Sequence, residues 1–239
     1  MPRLSSALTA EAIGTFLFFF VGMGAVVLGQ HTGDTSGGLV GVALAHGLAL
    51  AVLVSAFGAV SGGHFNPAVT VAVLITGRME PARAAMYVAA QLVGAVVAAA
   101  ALRLVFPEPS WAPVAIGTPA LGEGISATGG IVIEAILTMV LLVAVFGTAI
   151  DPRGPKIGGL AIGLAVAADI FMGGPLTGAA MNPARWFGPA VVSGTFDDWY
   201  VWWIGPLVGA AIIALVYRFL WEAAAEPEVT PATPEGVTR

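Results

Sequence analysis

The run Ser61-Gly62-Gly63-His64-Phe65-Asn66-Pro67-Ala68 and a second run of the same form, Thr177-Gly178-Ala179-Ala180-Met181-Asn182-Pro183-Ala184, decide the architecture. Each opens a short apolar stretch, Asn66–Ile75 and Asn182–Ser193. Neither stretch reaches the roughly 20 residues that a membrane-crossing helix needs. Asn is a favoured N-cap, and Pro suits the first helical position because its missing N–H would be unpaired there anyway. Both stretches are therefore expected to be half-helices starting at an Asn-Pro. Irregular backbone ahead of them is tolerable at membrane depth only if it is buried or lines a cavity. The pair is thus expected to re-enter the bilayer around a pore.

The rest of the chain supplies the bilayer context. Of 239 residues, 58% are hydrophobic and 10% charged, whereas a soluble domain carries about 25% charged residues. The 32 glycines lie within apolar runs, where they let helices approach closely. Six runs are expected to span: Leu8–Leu28, Leu39–Val60, Ala84–Phe106, Gly129–Ile150, Ile157–Gly174 and Trp199–Trp221. The fold class is all-α membrane protein, with six transmembrane helices plus two re-entrant half-helices. Glu11 interrupts the first run and no small-residue cleavage site closes it, so it reads as a retained span rather than a signal peptide.

Charge sets the expected orientation. Arg3, Arg78, Arg83, Arg153, Lys156, Arg218 and Arg239 fall on one side of this layout, and Arg103 and Arg185 on the other. The positive-inside rule then makes both termini cytoplasmic. Trp199, Tyr200, Trp202 and Trp203 resemble an interfacial aromatic belt at the outer start of the last span. Residues 1–221 are expected to form the membrane domain. Residues 222–239 are expected to be a disordered tail, rich in Pro, Thr and Glu, that holds much of the acidic excess behind the net charge of −5.

The same composition excludes other classes. No basic patch points to nucleic acid. With no cysteine and three scattered histidines, the chain offers no disulfide, thiolate metal site, thiol nucleophile or nucleophile–base pair. No cofactor and no enzymatic activity are expected. A proton-coupled transporter would want a titratable residue at the midplane, yet Asn66 and Asn182 occupy that place.

The halves repeat. Glu11-Ala12-Ile13 near the start of the first half corresponds to Glu134-Ala135-Ile136 in the second, and the repeats cover about 8–106 and 129–221. Three spans and one half-helix per repeat make an odd number of crossings, so the repeats run in opposite directions. Inverted repeats place broken-helix N-termini at a midplane site. Two such ends carry partial positive charge that repels cations, and the Asn66 and Asn182 amides can donate to a passing oxygen. A narrow pore for small neutral molecules follows.

These residues resemble the major intrinsic protein family, the aquaporins and glycerol facilitators, over nearly the whole chain. The carriers are Ser61 through Thr70, Met181-Asn182-Pro183-Ala184-Arg185 and Glu11-Ala12-Ile13-Gly14-Thr15-Phe16. The resemblance implies a homotetramer with one pore per subunit, Pro67, Ala68, Pro183 and Ala184 completing the paired motifs, and Glu11 and Glu134 bracing the re-entrant loops. It places an outer constriction at His46, Ile170, Ala179 and Arg185, and His64 in the pore wall. That set looks like the plant tonoplast intrinsic proteins, some of which also pass ammonia and urea. It implies a water channel with secondary ammonia permeability, the alternative being a glycerol or urea facilitator. Trp202-Trp203 resembles a water-channel trait. Trp186 departs from the pattern, since water channels commonly carry Ser there and glycerol facilitators Asp, and is expected to face lipid or a neighbouring subunit. Asp169 is expected in an outer vestibule or a helix contact, and His31 in solvent. A prokaryotic cell membrane is the expected location.

Overall fold

A chain inside a bilayer has no water to satisfy its peptide groups, so long apolar runs close their own hydrogen bonds as helices. The structure is a computed structural model describing residues 3–33 and 38–222, so residues 223–239 of the expected tail lie outside the described residues. In chain order the elements are α1 (Leu4–Thr32), α2 (Gly38–Ser61), α3 (Pro67–Ile75), α4 (Pro81–Val105), a one-turn α5 (Glu108–Trp111), α6 (Ala127–Val145), α7 (Gly158–Thr177), α8 (Pro183–Ser193) and α9 (Val201–Val216). Wider π-type turns prolong α6 through Phe146–Ile150 and α9 through Tyr217–Trp221. Six helices, α1, α2, α4, α6, α7 and α9, are long and apolar enough to cross a membrane. The two half-helices are α3 and α8. No strand occurs among the described residues.

The spans lie where hydropathy puts them, and their ends follow local caps instead. The first helix runs past Leu28 until Gly33, which adopts a left-handed φ of 60°. The α7 helix carries Pro175 in its last turn and ends only where Gly178 turns left-handed at φ 78°. Trp199 falls outside α9, because Asp198 at φ 48° closes a turn before that helix starts.

Packing displays the inverted repeat. The α1 helix lies along α4, and α6 along α9; α2 packs on α7 and joins the halves. Each half-helix crosses over: α3 packs on α9 and α8 on α4, so each repeat completes the other. The α2–α7 contact needs glycine on both helices. A Cβ on Gly47 would lie 2.6 Å from the Gly163 carbonyl oxygen, and one on Gly163 would lie 2.2 Å from that of Gly47. Leu48, Val52, Val93, Val97, Ile136 and Leu164 point outward and exposed. Such apolar flanks would be a liability in water but match hydrocarbon.

Candidate functional site

The site is built where α3 and α8 begin. Asn66 and Asn182 both have extended backbones, and each side-chain oxygen accepts from the amide two residues on, Ala68 N at 2.8 Å and Ala184 N at 3.0 Å. Pro67 and Pro183 take the first helical position. The side chains also reach across the repeat boundary. Asn66 Nδ2 donates to Met181 O at 2.9 Å, and Asn182 Nδ2 donates to Phe65 O at 3.0 Å. Capping and crossing thus use the amide oxygen and one amide proton of each side chain. The second proton of each remains for the cavity that both side chains border.

Behind each loop stands a fully buried carboxylate. Glu11 accepts from Ser61 Oγ (2.6 Å), His64 N (3.0 Å), Phe65 N (2.7 Å) and Gln91 Nε2 (2.7 Å). Glu134 accepts from Thr177 Oγ1 (2.7 Å), Ala180 N (2.9 Å) and Met181 N (2.7 Å). Ser61 corresponds to Thr177, His64 to Ala180 and Phe65 to Met181, so both brackets are the same device. Across a trans peptide the N–H and C=O point in opposite directions. Amides drawn toward the glutamates therefore turn the carbonyls of Gly63, His64, Ala179 and Ala180 toward the cavity. Phe65 and Met181 hold left-handed φ values of 47° and 52° to make this reversal. Outer hydrogen bonds hold the loops in place: Tyr87 Oη donates to Ser61 O and Trp202 Nε1 to Thr177 O, each at 2.9 Å.

The cavity, of about 760 Å³, runs past these loops. His46, Ile170, Ala179 and Arg185, which come from α2, α7, the second loop and α8, all line it. Arg185 is 5% exposed. Its Nε donates to His46 Nε2 at 3.1 Å and its Nη1 donates to Gly117 O at 2.7 Å. A guanidinium only donates, so His46 Nε2 is an acceptor and Nδ1 carries the proton, which it donates to Val42 O at 2.9 Å. The Gly117 carbonyl is presented by a tight turn in which Ala115, Ile116 and Gly117 all have positive φ.

Four other residues are placed by the structure. His64 borders the cavity, with Nδ1 3.1 Å from Thr70 Oγ1 and its ring 5.4 Å from that of Tyr87. Asp169 is 3% exposed, and one of its carboxyl oxygens has no partner among the described residues. It lies one turn from Gly173, where a Cβ would stand 2.4 Å from Leu137 Cδ1 of α6, so it shares the face of α7 that meets α6. Trp186 faces neither lipid nor solvent: it is buried and stacks on Trp202 with ring centroids 5.8 Å apart, because the first turns of α8 and α9 bring the two indoles together. His31 is exposed, as expected, and its ring also has partners: Nδ1 lies 2.8 Å from Ser110 Oγ and the ring meets Phe106 edge-on.

Sequence reading did not single out Gln91, Tyr87 or Gly117. Gln91 carried a usable signal, because an amide in an apolar span needs partners. Tyr87 offered a weaker one of the same kind. Gly117 contributes a backbone carbonyl, which no side-chain pattern announces.

Comparison with known proteins identifies the family. The family model described as Major intrinsic protein matches residues 2–217. Aquaporin TIP4-4 of Zea mays is 47% identical over 231 residues, covering 94% of this chain and 90% of that protein. Probable aquaporin TIP3-2 of Arabidopsis thaliana is 46% identical over 231 residues, covering 92% and 85%. In fold, the chain is similar to the aquaglyceroporin from Plasmodium falciparum, with a TM-score of 0.77 at 24% identity over 93% of this chain and 98% of that one. The six spans and paired half-helices thus belong to a multi-pass membrane protein of the major intrinsic protein family.

Proposed function

We propose that the chain is a passive water channel in which Asn66 and Asn182 orient the permeant at the centre and His46, Ile170, Ala179 and Arg185 select it nearer the outer mouth. The reciprocal Asn pair carries the reading, because it leaves two amide protons free beside the cavity at the N-termini of two facing half-helices. A water oxygen there accepts from both and turns its hydrogens toward the carbonyls on either side. Helix-end charge and the Arg185 cation oppose cations. Glu11 and Glu134 hold the carbonyls in line.

Ammonia is proposed as a second permeant. Ile170 adds no donor or acceptor to the constriction, and the single His46 acceptor is taken by Arg185, so a neutral molecule less demanding than water passes the same ring. A glycerol or urea facilitator is the second reading, favoured by the small side chain of Ala179. We further propose a homotetramer in the cell membrane with both termini cytoplasmic. Basic side chains gather at one end of the molecule, where Arg78 pairs with Glu222, Arg153 donates to Trp221 O and Arg218 to Ile75 O. Arg103 lies at the other end, on Val192 O.

Stopped-flow light scattering on one vesicle preparation, comparing water, ammonia and glycerol with His46→Phe as control, tests the function. Rapid water flux with low activation energy and ammonia flux above protein-free vesicles are expected. Glycerol flux that dominates water flux would overturn the water-first reading. Ammonia flux equal to that of empty vesicles would remove the second permeant alone.

A further inference from the structure

Resting on the reading of His46 and Arg185 as the selective constriction, we infer that Gly22 of α1 is a positioning residue for it, the missing Cβ being the seat of the His46 imidazole. A Cβ built on Gly22 would stand 2.4 Å from both Cδ2 and Nε2 of His46 and 2.8 Å from Cε1. A real Cβ does not come that close to another heavy atom, so the ring occupies the volume that any other residue would fill. The ring is fixed from two further sides: Nδ1 to Val42 O within its own helix, and Nε2 to Arg185 Nε. Phe18, one turn before Gly22, closes the fourth side edge-on at 6.0 Å between centroids. Gly22 therefore decides how far the imidazole withdraws from the cavity, and through it where Arg185 rests.

A methyl at position 22 leaves the ring only displacements that break the bond to Arg185 or turn the imidazole into the passage. The ring is the free end of a side chain and can yield, so the substitution acts on the aperture more than on folding. Another glycine of the same helix gives a matched control. A Cβ on Gly24 would lie 3.4 Å from Leu102 Cδ2, an ordinary contact.

The experiment measures water and ammonia permeability per channel in vesicles for the wild type, Gly22→Ala, Gly24→Ala, His46→Ala and the double variant Gly22→Ala/His46→Ala. Gly22→Ala is expected to lower water permeability at least about threefold and to change the ammonia-to-water ratio, because both depend on pore width and on the lining donors and acceptors. Gly24→Ala should leave both unchanged. Removing the ring removes the three atoms nearest that methyl, so the double variant should match His46→Ala alone, which is the non-additivity of two groups in contact. Wild-type flux and ratio in Gly22→Ala would overturn the inference, as would effects of the two substitutions that simply add. If Gly22→Ala yields no monodisperse protein, recovery of yield in the double variant supports the inference, and its absence overturns it. A His46→Ala channel with wild-type ratios would instead defeat the reading of the constriction itself.

Discussion

Ala179 holds a left-handed φ of 44° at the place where the first repeat has Gly63 at 64°. For an L-residue that conformation costs about 1–2 kcal/mol. The methyl recovers part of this, since Ala179 is buried and its Cβ faces Gly173, and a buried carbon is worth about 0.8 kcal/mol. Ala179→Gly is therefore expected to be near-neutral in stability, with a midpoint shift of a few degrees at most in thermal unfolding (about 2–4 °C per kcal/mol at this size). Its effect should appear in glycerol flux, which is expected to rise as the proposed constriction loses a wall atom. A large loss of stability would show that the strain at this residue is slight and that the methyl contact dominates. The same scale shows what residue types reveal. Asn66, Asn182 and Arg185 were legible because cap, proline and cation stand side by side in the chain. Their partners were not, because Phe65 O, Met181 O and Gly117 O are backbone atoms that any residue could supply. Trp186 was misread for a related reason: its stacking partner Trp202 lies on another helix, and only the tertiary fold creates the pair.

Each half-helix is an element too short to nucleate alone, since isolated helices below about 12–15 residues are marginal. What holds α8 is its Asn182 cap and the loop fastened to Glu134. Glu134→Gln replaces one acceptor oxygen by a donor, so at least one of Thr177 Oγ1, Ala180 N and Met181 N loses its partner. An orphaned buried donor costs about 1–3 kcal/mol. Glu11→Gln sets an amide against four donors, Gln91 Nε2 among them, and should cost more. Thermal unfolding in detergent, followed by tryptophan fluorescence because Trp202 donates to the second loop, should rank Glu11→Gln below Glu134→Gln and both below the wild type. The loop between α6 and α7 is held differently. Arg153 donates to Asp151 through Nε, Nη2 and its backbone N, and these bonds hold the Asp151 carboxyl down at about 2. A carboxyl with a depressed value contributes its bonds above the ordinary range near 3.9 and loses them only as pH falls through about 2. The latch is therefore constant from pH 5 to 8. Asp151→Ala removes it at all pH, and tryptic cleavage after Arg153 or Lys156 at pH 8 should accelerate relative to the wild type. Span centres were legible at this scale because apolar length is a property of the run. Span ends were not, because Gly33, Gly178 and Asp198 act through backbone dihedrals.

The whole molecule is two interlocked repeats, and the interlock depends on contacts that neither repeat makes alone. The reciprocal approach of Gly47 and Gly163 sets the distance between α2 and α7, and Leu50 of α2 and Ile162 and Val166 of α7 line the cavity. Gly163→Ala puts a Cβ 2.2 Å from a backbone oxygen that no rotamer can move, so the helices must part, at a cost of about 1–3 kcal/mol. Reduced thermal stability together with altered water flux is expected, and an unchanged channel would mean that the repeats slide more freely than their packing implies. The inverted arrangement also bears on insertion. Two repeats of opposite direction are nearly equivalent upside down, so hydropathy alone cannot choose between orientations, and the choice falls to lysine and arginine in the short connections. Arg78, Arg83, Arg153, Lys156 and Arg218 precede or follow spans at one end, and Arg103 stands at the other, since Arg185 is buried within the site. The chain has no cysteine of its own, so single cysteines report position without background. Lys156 and Asp197 are both exposed and lie at opposite ends, before α7 and before α9 respectively. In intact cells a membrane-impermeant maleimide should label Asp197→Cys and leave Lys156→Cys unlabelled until the membrane is opened. The reverse pattern would place the termini outside. Partial labelling of both would mean that the basic side chains at one end are too few to overcome the symmetry, and adding one arginine beside Lys156 should then restore a single orientation.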